Sequence, residues 1–482
     1  MRRLAPLLSS WCLAVFALQG APVRQRSLSL RLATPITSYD SRESSAFRSV
    51  VIAPYGRDGR VMLPPGTIVY GSVLERKGVG LGLKRERATL KLAFHVYELP
   101  DGRRFPLHAS LRTIDNARER ITSEGEIKGI LAANGPHSLI HGLWHKPSLE
   151  LFPRSFIGLT GTGGKIFTKY SMGPIGAAGL FAARLAIVRL PEPEIRLPEG
   201  TELKVTISRL EDDAPSFAPA EAGTIDSVLG QQLAVQPTAV TKPGGTPAAD
   251  IINVAFLGSR EDLARAFGLA GWHETEHLNA RSMSRAYKAY TAQQGYDAAP
   301  VSKLLYEDAE PDVVFQKSLN TISKRHHIRL WRYDMAGREI WLGAATHDVG
   351  VVFDSSAMSF THQIHPRIDA ERSKVVNDLA FTGCIEPAAY LDRPEASRKP
   401  GSGGAIVTDG RLAVLAFGDG CKEQSGDFPL NLPAPPRSRA ARIIRRMMLE
   451  GRQYVLRGNA YYWAYRAIAY RHGERKQAAG EE

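Results

Sequence analysis

Between residues 30 and 210, apolar and polar side chains alternate with a period of two, as in half-buried strands. SVVIAPYG runs into Arg57-Asp58-Gly59, and TIVYGSVLERK follows from Thr67. ATLKLAFHVYELPDGRRFPLHASL places two such runs around Pro100-Asp101-Gly102, which predicts a hairpin. LPPGTIVYGSV at 63–73 and LPEGTELKVTI at 197–207 repeat one phrase, a Pro-x-Gly turn that opens an alternating strand. The two copies predict matching edges of one β-barrel or sandwich.

From 211 to 250 the periodicity fades into Pro, Ala, Gly and Thr, which reads as a linker with a short helix near SVLGQQLA. A second globular pattern then begins. IINVAFLG reads as a buried strand, and SREDLARAFGLAGW as a helix that Ser259 caps with Asp262 three residues on. RSMSRAYKAYTAQQ and DAERSKVVNDLAFTG read as helices; DVVFQKSL, HHIRLWRY and REIWLGAATHD read as strands. AIVTDGRLAVLAF predicts a hairpin turning on Asp409-Gly410. Adjacent strands dominate, so this domain is expected to be α+β with a mainly antiparallel sheet. After Arg437 the chain is rich in arginine and aromatics with helical spacing, a basic amphipathic tail.

The expected organisation is therefore a leader (1–21), an all-β barrel-like or sandwich-like module (30–210), a linker (211–250), an α+β domain (251–425) and a basic helical tail (437–476). With 482 residues, two or three domains of roughly 150 residues fit the length. The leader rests on Arg2-Arg3, an apolar run from Leu4 to Leu18 and small residues after it, the order of a secretory signal peptide. The apolar run is shorter than the ~20 residues of a spanning helix; an uncleaved N-terminal anchor is the alternative. Cys12 follows Trp11 inside the leader, a poor setting for a lipoprotein anchor. Cys384 and Cys421 then remain, either paired in an oxidising compartment or buried as separate thiols. MGPIGAAGLFAARLAIV at 172–188 is short and carries Arg184, so it reads as a packing segment rather than a span. A net charge of +13 favours anionic partners. For an exported chain these are acidic lipid headgroups, envelope glycans or other envelope proteins, and nucleic acid is disfavoured. Nothing in the composition sets an oligomeric state.

The phrases INVAFLGSREDLARAFGLAGWHE, APVSKLLYEDAEPDVVFQKSL, RHHIRLWR, WLGAATHDVGV, FTHQIHPRIDAERSKVVNDL and TDGRLAVLAF occur in this order. Together they resemble the LssY-like C-terminal domain family over about residues 251–418. In related proteins this domain accompanies membrane modules similar to lipid phosphatases, so the resemblance implies work at a membrane near lipid or phosphate chemistry. It carries over no activity, because here a β-rich module stands in place of the polytopic partner. The Pro-x-Gly-Thr phrases resemble, more loosely, the β-barrel modules of TrbI-like conjugation proteins.

Candidate chemistry gathers in the second domain. In RHHIRLWR, period two puts His326, Ile328 and Leu330 on one face and His327, Arg329 and Trp331 on the other. The first set is core-facing, and the second is a polar face that suits an anionic ligand. In REIWLGAATHD, Gly343 and Ala345 lie between Trp341 and His347, which leaves room for a ligand if His327 and His347 line one groove. Asp348, His362, His365, Asp369, Glu371 and Arg372 complete the candidate ligand or metal set. No cofactor is predicted, and a divalent metal is open to these imidazoles and carboxylates, although HExxH and CxxC spacings are absent. No nucleophile motif stands out. The expected role is binding or scaffolding at the membrane of the cell envelope; the alternative is a hydrolase acting on a phosphorylated envelope lipid or glycan.

Overall fold

A computed structural model describes residues 27–80, 87–130, 192–211, 214–245, 247–318, 320–354, 359–393 and 406–421, with isolated positions between 438 and 448. The leader, the 172–188 segment and almost all of the basic tail lie outside the described residues.

Six strands form the barrel of the first domain, with shorter strands beside them: β1 (Leu28–Leu32), β2 (Ala46–Val51), β3 (Ile68–Lys77), β4 (Thr89–Glu98), β5 (Arg104–Ile114) and β6 (Glu202–Arg209). They pair antiparallel in the order β3-β2-β1-β6-β5-β4, and β3 pairs with β4 to close the ring. Alternation supplies the barrel core: Leu28, Leu30, Leu32, Val51, Val69, Leu90, Phe94 and Val205 point inward and pack together. Register shifts at Tyr70/Gly71 and Val73/Glu75 bend β3 against β4, which a small closed barrel requires. A side chain at Gly71 would collide with the Phe47 ring and the Ala93 carbonyl, so glycine is needed at this bend.

The repeated phrase makes the same turn twice. Gly66 and Gly200 have φ of +89° and +85°, conformations that favour glycine. Their N–H groups donate to Val51 O and Leu32 O, at 2.9 and 2.8 Å, and tie the entry of β3 and β6 to the neighbouring strand. The Pro100-Asp101-Gly102 hairpin forms as expected, with Leu99 N–H donating to Arg103 O at 2.9 Å.

The second domain is one mixed sheet with four helices among the described residues. Its strands are β7 (Val254–Leu257), β8 (His273–Glu274), β9 (Val313–Lys317), β10 (Arg325–Met335), β11 (Arg338–Asp354), β12 (Ser359–Ile364), β13 (Ala389–Asp392) and β14 (Arg411–Ala416). They run β8-β9-β10-β11-β7-β14-β13, with β12 on the distal part of β11. Every pair is antiparallel except β7–β14. The helices are α1 (Ser227–Ala234), α2 (Arg260–Leu269), α3 (Ala280–Ala292) and α4 (Asp369–Thr382). Ser259 and Asp262 form the expected capping box of α2.

Two expectations change. The segment around Asp409-Gly410 is not a hairpin: β14 lies between β7 and β13, while Val407 bridges Arg367. Asp409 is instead held by the Arg372 guanidinium at 2.8 Å through both oxygens. The 211–250 segment contains α1, where a short helix was expected, and also a hairpin of Ala239–Thr241 with Pro247–Ile251. Leu229, Leu233 and Val240 bury themselves against Leu342 and Ala344, so this stretch covers one sheet face. Helices α2 and α4 cover the other, with Leu263, Phe267, Val375 and Leu379 packed on Ile328, Leu330 and Trp341. No helix among the described residues is long and apolar enough to cross a membrane.

Candidate functional site

Because both sheet faces are covered, RHHIRLWR is buried from Arg325 to Trp331. Period two still sorts its side chains. Ile328 and Leu330 enter the α2/α4 side of the core, whereas Trp331 enters the α1 side. Across the β10–β11 ladder His326 stands opposite His347, and His327 opposite Thr346. His347 therefore shares a face with His326, and His327 points to the opposite one. The proposed His327–His347 groove does not form, and the space over Gly343 is taken by Leu330 and Ile328.

The candidate residues divide into three groups. On the α1 side, His327 is hydrogen-bonded to Thr346 Oγ1 at 2.7 Å, and Arg325 pairs with Asp348 at 3.2 Å. Arg329 donates to Asp250 at 2.8 Å and to the Ser302 carbonyl at 3.1 Å, while Trp331 Nε1 donates to Ala309 O at 3.0 Å. Burial holds the Asp250 carboxyl above its ordinary value despite the adjacent Arg329. At the start of α4, Asp369 accepts from Thr408 Oγ1 at 2.8 Å and from Asp409 N–H at 2.7 Å. Arg372 pairs with Asp409, as above. These contacts stitch the β13–β14 side to the helix. His362 pairs through its backbone with Val351, and its side chain lies outside the described residues.

The third group lies on the α4 side, where the barrel meets the sheet. His326 donates from Nδ1 to Glu371 Oε2 at 2.7 Å and from Nε2 to Asp115 Oδ2 at 2.9 Å. Asp115 follows the end of β5, so an imidazole of one domain is held by a carboxylate of each. Burial opposes its charge, but the two carboxylates outweigh burial and push its pKa up to about 9. The rings of His326 and His347 stack with centroids 4.1 Å apart. His347 Nε2 is held by Asn116 Oδ1 at 3.1 Å, and burial together with the charged His326 beside it pushes its pKa down to about 2. His365 stacks more loosely on His347, at 6.3 Å. One donor atom each from Asp115, His326 and His347 lie within 4.8 Å of one another.

Beside this trio is a second buried polar cluster. Glu202, at the start of β6, accepts from Arg31 at 3.0 Å, from Lys317 at 2.7 Å and from Lys374 at 2.6 Å. Asp378 lies across from it, 3.0 Å from Lys317 and 3.1 Å from Lys374. Arg31 and Glu202 belong to the barrel, and Lys317, Lys374 and Asp378 to the sheet domain. Burial alone would raise both carboxyls, but the surrounding cations hold Glu202 well below its ordinary range and Asp378 below its own. Hydrogen bonds from Asn116 to Lys317 O, Asn320 to Asp115 O and Lys324 to Ala117 O extend the junction.

Sequence reasoning placed Glu371 and His347 among the candidates but set His326 aside as a packed core residue. It also missed Asp115, Glu202, Lys317, Lys374 and Asp378. The available signal was on α4, where Glu371, Lys374 and Asp378 recur at helical spacing beside Val375 and Leu379, so charge and core share one stripe.

Among the described residues the architecture is a closed antiparallel barrel joined through buried ion pairs to a mixed α+β sheet. Residues 233–412 match the model of a family described as LssY C-terminus. The match takes in less than half of the chain; it begins inside α1 and ends in β14. Among solved structures, ComB10 of the Com type IV secretion system of Helicobacter pylori aligns at 12% identity, covering 38% of this chain and 84% of its own, with a TM-score of 0.17. At that score the alignment carries no argument. No curated protein matches the chain.

Proposed function

We propose that the chain is an envelope-associated binding or scaffolding protein, in which the barrel and the LssY-like domain act as one unit that engages anionic lipid, envelope glycan or other envelope proteins. One observation carries this reading. Among the described side chains that sequence reasoning offered for hydrolysis, His327 and Arg329 lie on the α1 side and Arg372 holds Asp409, while His347, His365 and Glu371 gather around His326 at the domain junction. The hydrolytic site would need His327 and Arg329 to converge with His347 on one cleft. Export is supported by the order of the leader residues, and the Cys384–Cys421 disulfide suits an oxidising compartment. The basic aromatic stretch 437–476 suits an anionic membrane surface, with arginines beside phosphates and Tyr461, Tyr462, Trp463 and Tyr465 at the headgroup level.

Flotation with phosphatidylglycerol or phosphatidylcholine vesicles tests the proposal, using the mature chain and the same chain lacking 437–482. Flotation of the longer form on the anionic vesicles alone, reduced by salt, is the expected result. Equal behaviour of both forms on both vesicles sinks the membrane part. Release of phosphate from phosphatidic acid by the purified protein, lost on His327→Ala, replaces the scaffolding reading with the hydrolase.

A further inference from the structure

We infer that Asp115, His326 and His347 form a binding site for a divalent transition-metal ion of the zinc class, with Glu371 as the outer carboxylate, fastening the barrel to the LssY-like domain. The donor set is one oxygen and two imidazole nitrogens, ligands that zinc accepts, leaving a fourth position for water. Around a tetrahedral ion with bonds of ~2.0–2.2 Å, donor atoms lie roughly 3.3 Å apart. Asp115 Oδ2 and His326 Nε2 already stand 2.9 Å apart, and all three donors fall within 4.8 Å.

The surroundings fit an ion as well as the donors do. Metal-bound histidines donate their second ring N–H to a carboxylate, which fixes the ring and makes it a better ligand. Glu371 Oε2 holds His326 Nδ1 in this way at 2.7 Å, from a helix packed on the sheet. Asn116 Oδ1 fixes the His347 ring through Nε2 at 3.1 Å. Asp115 and His347 are partly exposed while His326 is buried, so an ion has a route to the site. Lys374, the nearest cation on α4, is engaged with Glu202 and Asp378. One ligand comes from the barrel and two from the sheet, so the ion would span the junction.

The test uses the full chain, stripped with a chelator and titrated near neutral pH with zinc alone by calorimetry and with cobalt(II) by visible absorbance. Asp115→Ala, His347→Ala, Glu371→Gln and His365→Ala run in parallel, with circular dichroism to confirm folding. The expected result is one zinc per chain, a four-coordinate cobalt spectrum, affinity weakened about 10- to 100-fold in Glu371→Gln and by more in Asp115→Ala and His347→Ala, and wild-type affinity in His365→Ala. No saturable uptake by the wild-type chain overturns the inference, whatever the variants do. So does wild-type affinity in His347→Ala and Glu371→Gln, which decide the matter if Asp115→Ala fails to fold. Membrane binding enters none of these readouts.

Discussion

Replacing Glu202 by glutamine removes the carboxylate around which Arg31, Lys317 and Lys374 gather. Its three contacts measure 3.0, 2.7 and 2.6 Å. At an effective dielectric of about 20, a unit pair near 2.7 Å attracts by roughly 6 kcal/mol. Most of that attraction offsets the cost of taking the ions out of water, and losing one member of a buried network leaves a net loss of about 3–5 kcal/mol. Lys317→Met should cost a similar amount, because it removes the buried cation that Glu202 and Asp378 share. The two losses should not add. The double variant removes one charge of each sign and should be more stable than the sum of the singles predicts by about 1–3 kcal/mol. Urea unfolding followed by tryptophan emission measures this, because Trp272, Trp331 and Trp341 are buried in the sheet domain whereas Glu202 belongs to the barrel. An emission midpoint unchanged by Glu202→Gln would refute the reasoning. So would additivity of the two substitutions to within about 0.5 kcal/mol.

Acid should weaken the same junction. Glu202 and Asp378 have folded pKa values below their unfolded ones, so their contribution is complete above the unfolded values, near pH 4 to 4.5, and is lost as pH falls through the folded values. Midpoints measured from pH 6 downward should therefore fall less steeply in Glu202→Gln than in the wild type, and parallel curves would contradict the assignment. The Cys384–Cys421 disulfide closes a loop of 37 residues. Its removal by Cys384→Ser with Cys421→Ser should cost about 4 kcal/mol by loop entropy; a loss under about 1 kcal/mol in thermal unfolding would show that the crosslink does not constrain the unfolded chain.

Much of the fold was legible because short-range rules govern it. The Gly66 and Gly200 turns, the Pro100-Asp101-Gly102 hairpin, the Ser259 cap and the face assignment in RHHIRLWR depend on residues within a few positions of one another. The polarity of a face was less informative. His327, Arg329 and Trp331 were expected to face a ligand, yet the 211–250 segment lies over that side and buries them with Asp250 and Ser302. Pairing between distant segments could not be read at all. Asp115 and His326 are 211 positions apart, and Glu202 and Lys374 are 172 apart. In a single sequence each is an ordinary charged residue at the end of a strand or on a helix. Ser259 and Asp262 announce a cap by their spacing, whereas no spacing announces a partner in another domain.

Helix α4 bears the charges that meet the barrel side of the junction. Glu371 reaches the histidine that Asp115 holds, Lys374 reaches Glu202, and Asp378 meets Arg31 at 3.6 Å. These three residues occupy two turns of one helix and behave as a docking code written in E-x-x-K-x-x-x-D. A sheet domain of this kind whose corresponding helix lacks the code would keep only the strand-borne half of the seat, the contacts of Lys317, Lys324 and His326 with the barrel.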